Sequence, residues 1–227
     1  MSARARPRVV VVDYGAGNLV SIDQALGSVG ADVSVARDPE AIRGADLLVV
    51  PGVGAAGPAM MRLERRGLVT AIRDWIEAGR PFLGICLGLQ LLFEGSDEDG
   101  ATTLGILPGR TARLAGAPTL PHIGWNQVDR TRNHPIFAGI RSGADFYFVH
   151  SYAGVPAGPD ADGVTLATTS HGRSFVSAVA RDHVIGLQFH PERSGADGQR
   201  LLANAVELLR GGRWPAADPL PVAAGAG

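Results

Sequence analysis

The sequence predicts an α/β fold: an open, mostly parallel sheet flanked by helices, with antiparallel additions. Three observations predict it. Short apolar runs and segments of helical periodicity alternate four times in the first ninety-odd residues. The apolar runs are continuous, as suits strands buried on both faces. Beyond Phe93 this alternation gives way to short strands joined by turns. Sheets of this kind bind ligands beyond the carboxyl ends of their strands.

Residues 9–12 are a β-branched run ending in Asp13-Tyr-Gly-Ala-Gly-Asn18, a loop expected to leave Tyr14 exposed. Leu19, Ile22, Leu26 and Val29 then recur at helical spacing, with Asn18 placed to cap the helix. Residues 32–35 form a second strand, 39–45 a brief helix, and 46–50 a third strand that stops at Pro51-Gly-Val-Gly54. Leu68, Ala71, Ile72, Trp75 and Ile76 mark one face of an amphipathic helix closed by Gly79. A fourth strand over 81–85 runs into a helix over 87–93. Residues 104–114 suggest an antiparallel ribbon broken at Pro108-Gly109, followed by strands at 145–152, 164–169, 174–180 and 184–189. A last amphipathic helix spans 199–210. The expectation is one domain over 8–210, with flexible tails at 1–7 and 211–227.

A chain of 227 residues that is 45% hydrophobic buries one substantial core. The net charge of −1 provides no basic face for nucleic acid or an anionic membrane. No window approaches the ~20 apolar residues of a membrane span. The lone cysteine forms no internal disulfide, which suits a reducing, cytoplasmic setting. Six histidines are scattered without ligand spacing, so neither a metal nor a cofactor is expected.

The chemistry centres on Cys86. Gly84 and Gly88 flank it in G-x-C-x-G, the spacing of a nucleophile elbow in which a residue on a strained strand-to-helix turn needs neighbours without side chains. Amide groups at a helix start favour the thiolate. A thiol nucleophile needs a base, and the base needs a group to hold its tautomer. Of the six histidines only His190 stands directly at the carboxyl end of a continuous apolar strand, and Glu192 follows two residues later through Pro191. Acyl transfer also needs an oxyanion hole. Candidates are the amide of Leu87, next after the nucleophile, and the glycine-rich Pro51-Gly-Val-Gly54 strand end, including Gly52.

These residues resemble the class I glutamine amidotransferases, which pair a cysteine elbow with a distant His-x-Glu. The narrower resemblance is to the glutaminase subunits of imidazole glycerol phosphate synthases. It rests on Asp13-Tyr-Gly-Ala-Gly-Asn-Leu19, Pro51-Gly-Val-Gly54, Gly84-Ile-Cys-Leu-Gly-Leu-Gln-Leu-Leu92, Pro121-His-Ile-Gly-Trp-Asn126, Phe146-Tyr-Phe-Val-His-Ser-Tyr152 and Gln188-Phe-His-Pro-Glu192. The elbow and His-Pro-Glu belong to the whole class; the Pro-Gly-Val-Gly, Pro-His-Ile-Gly-Trp-Asn and Tyr-Phe-Val-His-Ser-Tyr segments choose the branch. Arg193 departs from the lysine more usual there.

The resemblance implies a flavodoxin-like fold and a Cys86–His190–Glu192 triad hydrolysing glutamine, with oxyanion contacts from Gly52 and Leu87. It implies glutamine contacts from Gln90, Ser151 and Tyr152, and no cofactor. It further implies a heterodimer with a (β/α)₈-barrel cyclase subunit that receives the ammonia in histidine biosynthesis. Asp13, Asn18, His122, Trp125, Asn126 and Tyr147 are the implied interface and gate residues. The alternatives are the glutaminase subunit of another synthase, for anthranilate, purines or pyridoxal phosphate, and a catalytically silent regulatory module.

Overall fold

The computed structural model describes residues 5–211 together with 214, 218 and 219. From β1 (Arg8–Val12) the chain passes through α1 (Leu19–Ser28), β2 (Asp32–Ala36) and β3 (Leu47–Gly52) to two helices, α2 (Ala56–Arg65) and α3 (Leu68–Glu77). Next come β4 (Phe82–Cys86) and the one-turn helix α4 (Leu87–Gln90). Six strands follow: β5 (Gly95–Ser96), β6 (Gly109–Arg113), β7 (His122–Arg130), β8 (Arg132–Asn133), β9 (Ala144–His150) and β10 (Tyr152–Pro156). The chain ends through α5 (Ala161–Val164), β11 (Thr165–His171), β12 (Arg173–Arg181), β13 (Val184–Leu187), α6 (Gly195–Arg210) and β14 (Asp218–Pro219).

A nine-stranded sheet in the order β2-β1-β3-β4-β13-β12-β11-β7-β9 carries the site. Its β2-to-β13 half is parallel, and the rest is antiparallel. Pleating sends alternate valines to opposite faces. Val9, Val11, Leu47 and Val49 pack with Ile22 and Leu26 of α1 and Leu201 and Leu202 of α6. Val10, Val12, Leu48 and Val50 pack with Leu63 of α2 and Ile72 and Trp75 of α3. Both faces are therefore dry, which is why these strands read as unbroken apolar runs.

Several elements differ from expectation, each for a local reason. Helix α2 is not visible as a pattern because Gly57 and Pro58 open it, yet proline is tolerated in a first turn. The helix expected at 39–45 shrinks to one 3₁₀ turn, Glu40–Ile42. Helix α4 stops at Gln90, not Phe93. The carbonyls of Leu91, Leu92 and Phe93 instead accept N–H groups from Leu104, Gly105, Ile106 and Leu107. Those bonds also remove the first arm of the expected 104–114 ribbon. Only β6 forms there, antiparallel to β10 and parallel to β5 in a small second sheet.

The single strand expected at 145–152 breaks at Ser151, so that β9 stays in the large sheet and β10 joins the small one. Of the expected tails, Pro7 and Trp214 are buried, Trp214 within the core cluster that holds α1 and α6. Asp218–Pro219 pairs with β8. The tail residues 1–4, 212–213, 215–217 and 220–227 lie outside the described residues. Among the described residues no helix is long and apolar enough to cross a membrane.

Candidate active site

Cys86 ends β4 with φ 54° and ψ −106°, a left-sided backbone that non-glycine residues seldom adopt. The flanking glycines make the bend possible. A Cβ on Gly88 would lie 1.8 Å from the Val50 carbonyl oxygen, and one on Gly84 would lie 2.5 Å from the Gly88 carbonyl oxygen. G-x-C-x-G is thus a packing requirement here.

The parallel register brings the remaining groups to the sulfur. Gly52 pairs directly with Cys86 across β3 and β4, and Leu187 pairs with Ile85 across β13 and β4. Three residues past Leu187, His190 emerges beyond the sheet beside the elbow. Its N–H donates to the Tyr147 carbonyl at 2.9 Å, and its own carbonyl accepts the Ser194 hydroxyl at 2.6 Å. Ser194 Oγ in turn accepts the Tyr147 N–H at 3.0 Å. Ser194 is a functional buttress that no sequence motif singled out.

His190 Nδ1 and Glu192 Oε1 are 2.9 Å apart, with both side chains less than a tenth exposed. Burial lowers the His190 pKa, but the hydrogen bonds and charges of Cys86 and Glu192 outweigh it, and the pKa rises to about 10. Nδ1 is held as the donor to Glu192, which leaves the buried Nε2 to face the Cys86 sulfur. The three candidate triad residues are brought together.

A pocket of about 190 Å³ opens beside Cys86, lined by Leu87, Gln90, His150, Ser151 and Tyr152 among others. Gln90 is buried, and its Nε2 donates to the Tyr152 carbonyl at 2.8 Å and to Gln188 Oε1 at 3.2 Å. Its amide nitrogen therefore works inside the protein as well as beside the pocket. Glu98, which sequence reasoning missed, also lines the pocket; burial, then Asp99, raises its carboxyl pKa. The sequence offers only an acidic, glycine-rich stretch over 94–100, with no motif that marks Glu98 as a pocket residue.

Tyr14 is fully buried, contrary to expectation, with its hydroxyl pressed against Gly52, where a Cβ would lie 1.8 Å away. Asp13 is also buried, ion-paired to Arg37 at 2.7 Å, with a carboxylate oxygen accepting the Gly15 N–H. The Arg37 hydrogen bond holds its pKa down against burial. Asn18 accepts the Ser21 N–H and so caps α1 as its position suggested.

His122 and Asn126 are likewise used internally. Asn126 Nδ2 bonds the Ser170 carbonyl at 2.9 Å and His122 Nε2 at 3.1 Å; His122 Nδ1 lies 3.1 Å from His150 Nε2, and His150 Nδ1 lies 2.9 Å from the Tyr152 carbonyl. Burial lowers His122 to about 4 and His150 to about 3, so both are neutral. Trp125, by contrast, is 57% exposed and does not fill core. Its ring meets Tyr147 edge-on at 6.1 Å, and the Arg193 guanidinium sits 4.2 Å above Tyr147.

Comparison with known proteins agrees with this geometry. The family described as "Glutamine amidotransferase class-I" matches residues 10–208. The imidazole glycerol phosphate synthase subunit HisH of Symbiobacterium thermophilum is 51% identical over 87% of this chain and 92% of its own. The corresponding Aquifex aeolicus subunit is 49% identical over 87% and 95%. A solved glutamine amidotransferase overlays with a TM-score of 0.70 at 22% identity, covering 88% of this chain and 98% of its own, a likeness of fold. The chain belongs to the class I glutamine amidotransferases and, within them, to the HisH subunits of imidazole glycerol phosphate synthases.

Proposed function

We propose that this chain hydrolyses glutamine to glutamate and ammonia with Cys86, His190 and Glu192, and passes the ammonia to a cyclase subunit in cytoplasmic histidine biosynthesis. The observation that carries the reading is His190, buried between a thiol and a carboxylate, with its pKa raised by both. As a thiolate–imidazolium pair, Cys86 Sγ adds to the amide carbon. The imidazolium gives its proton to the leaving nitrogen, which departs as ammonia and leaves a thioester. Neutral His190 then takes a proton from water, whose oxygen attacks the thioester; the adduct collapses with loss of Cys86 as thiolate beside the imidazolium, which restores the starting pair, and the new carboxyl of glutamate gives its proton to solvent. Glu192 keeps the imidazole in the right tautomer and balances its charge.

Charge develops on the carbonyl oxygen in both halves. The Leu87 N–H opens α4, and Gly52 adjoins Cys86 on the other strand; both amides serve the oxyanion. Ser151 and Tyr152, at the break between β9 and β10, line the glutamine pocket, and Glu98 meets the substrate's α-ammonium. The exposed Ile123, Trp125 and Tyr147–Arg193 cluster forms the docking surface for the (β/α)₈ cyclase, an exposed aromatic and arginine composition of the kind that anchors interfaces. Ammonia that escaped to neutral water would be protonated and lose its nucleophilic lone pair, so delivery has to be direct. The test is ammonia release from glutamine by this chain with the cyclase subunit. Wild type is expected to release it and Cys86→Ala to fall by roughly 10³-fold; equal rates would overturn the proposal.

A further inference from the structure

We infer that the side-chain amide of Gln188 is a catalytic hydrogen-bond donor to the Cys86 sulfur, aimed by Gln90. The inference rests on Cys86 being the nucleophile. Gln188 is fully buried, and its Nε2 lies 3.7 Å from Cys86 Sγ. An amide has two ends of almost equal shape and opposite chemistry. Nitrogen toward the sulfur favours the thiolate; oxygen there would accept a thiol proton and favour the neutral form. Something has to choose between them.

The choice starts at the Tyr152 carbonyl, which can only accept. Gln90 therefore turns its NH₂ to it, at 2.8 Å. The same nitrogen reaches Gln188 at 3.2 Å, so the Gln188 end found there is oxygen, and its NH₂ is left for the sulfur. Behind Tyr152 the neutral histidines run in one consistent direction. Asn126 donates to His122 Nε2, His122 Nδ1 to His150 Nε2, and His150 Nδ1 to the Tyr152 carbonyl. Thus Tyr152 is pinned from two sides, and the polarity of the whole chain ends at the reacting atom.

Donation to a charged sulfur in a dry site is stronger than donation to a thiol. As sulfur bonds to carbon its charge falls and this hydrogen bond weakens. Gln188 therefore raises the thiolate fraction and leaves intrinsic nucleophilicity level or slightly reduced.

The experiment follows iodoacetamide alkylation of the full chain against pH. Cys86 is its only cysteine, and Cys86→Ala supplies the blank. Gln188→Leu is expected to move the half-maximal rate up by about one pH unit, a tenfold slowing on the acid side, with an unchanged plateau at high pH. Gln188→Glu keeps the shape but sets a carboxylate beside the sulfur, and is expected to move the profile further up. Gln90→Leu, which frees the Gln188 amide to turn over, is expected to shift it less in the same direction.

Should Gln188→Leu fail to fold, Gln188→Glu alone decides. A profile superposable on wild type, or a lowered plateau with an unmoved midpoint, overturns the inference. Alkylation requires neither glutamine nor the cyclase. A chain that shows the shifts yet releases no ammonia would therefore sink the proposed function and leave this inference standing.

Discussion

Two groups of buried imidazole adjoin the Cys86 pocket, and they behave oppositely. His190 and His150 are each 6% exposed and His122 3%, yet His190 is driven up to about 10 while His150 and His122 fall to about 3 and 4. Burial is the same; neighbours differ. His190 has a carboxylate and a sulfur, whereas His150 and His122 have each other, a backbone carbonyl and an amide. A proton carrier must be able to hold charge, and a brace is better without it. The comparison teaches that a buried histidine near this cysteine is assigned by its partners, not by its depth or its distance.

The sharpest way to break this contrast is to replace each imidazole by an amide. His190→Gln is expected to lower kcat for ammonia release by roughly 10²- to 10⁴-fold. His150→Gln is expected to change it less than tenfold while lowering the melting temperature; equal losses of turnover would erase the distinction. Glu192→Gln comes next, with kcat down by roughly a hundredfold and the His190 imidazole titrating at lower pH by NMR, since one of its two raising partners loses its charge.

The acid limb of stability separates the groups by sign. His150 binds its proton in the folded state only near pH 3 but near 6.5 when unfolded, so the unfolded chain is favoured as pH falls from about 6.5. Across that window His150 accounts for a decline of up to about 1.4 kcal/mol per pH unit. His190 has the opposite linkage: its contribution is fully present below about 6.5 and is lost as pH rises through about 10. Denaturant titrations between pH 7 and 4 are expected to show a shallower decline for His150→Gln than for wild type. The smallest expected effect divides the two faces of β7. Trp125→Ala on its outer face should leave stability within about 0.5 kcal/mol but weaken capture of the cyclase subunit by more than about 1 kcal/mol, measured by calorimetry.

The parallel half of the fold was legible because both faces are dry and each strand announces itself as an apolar run. The elbow and His190 were legible for a related reason: the register of β4 with β3 and β13 converts sequence position at a strand end into spatial proximity. The antiparallel half was not. β7 hides its alternation behind His122, Gly124 and Asn126, polar or small residues on the inward face. Their burial depends on β9 and on His171, a ring stacked 4.1 Å from His122. Such partners are distant in sequence, so nothing in the motif that carries His122 and Asn126 announced their internal hydrogen bonds to His150 and to the Ser170 carbonyl. Tyr14 misled similarly, because a glycine-rich loop suggests exposure while the space above Gly52 happens to admit one phenol. Gln188 gave no signal alone; its meaning comes from the Gln90 amide, 98 residues away in sequence and brought beside it by the pairing of β4 with β13.

The Gly52–Cys86 pairing has a consequence for how this gene can change length. Pleat parity is strict, so inserting or deleting one residue within β3 would swap Val49 with Val50 between opposite cores and turn the strand end away from the elbow. A two-residue change would restore the faces and still displace the glycine loop by roughly 7 Å. The exposed turn at 158–160, between β10 and α5, carries no such constraint on register. Lengthening is expected to be tolerated at that surface turn and rejected in the two strands that meet at Cys86.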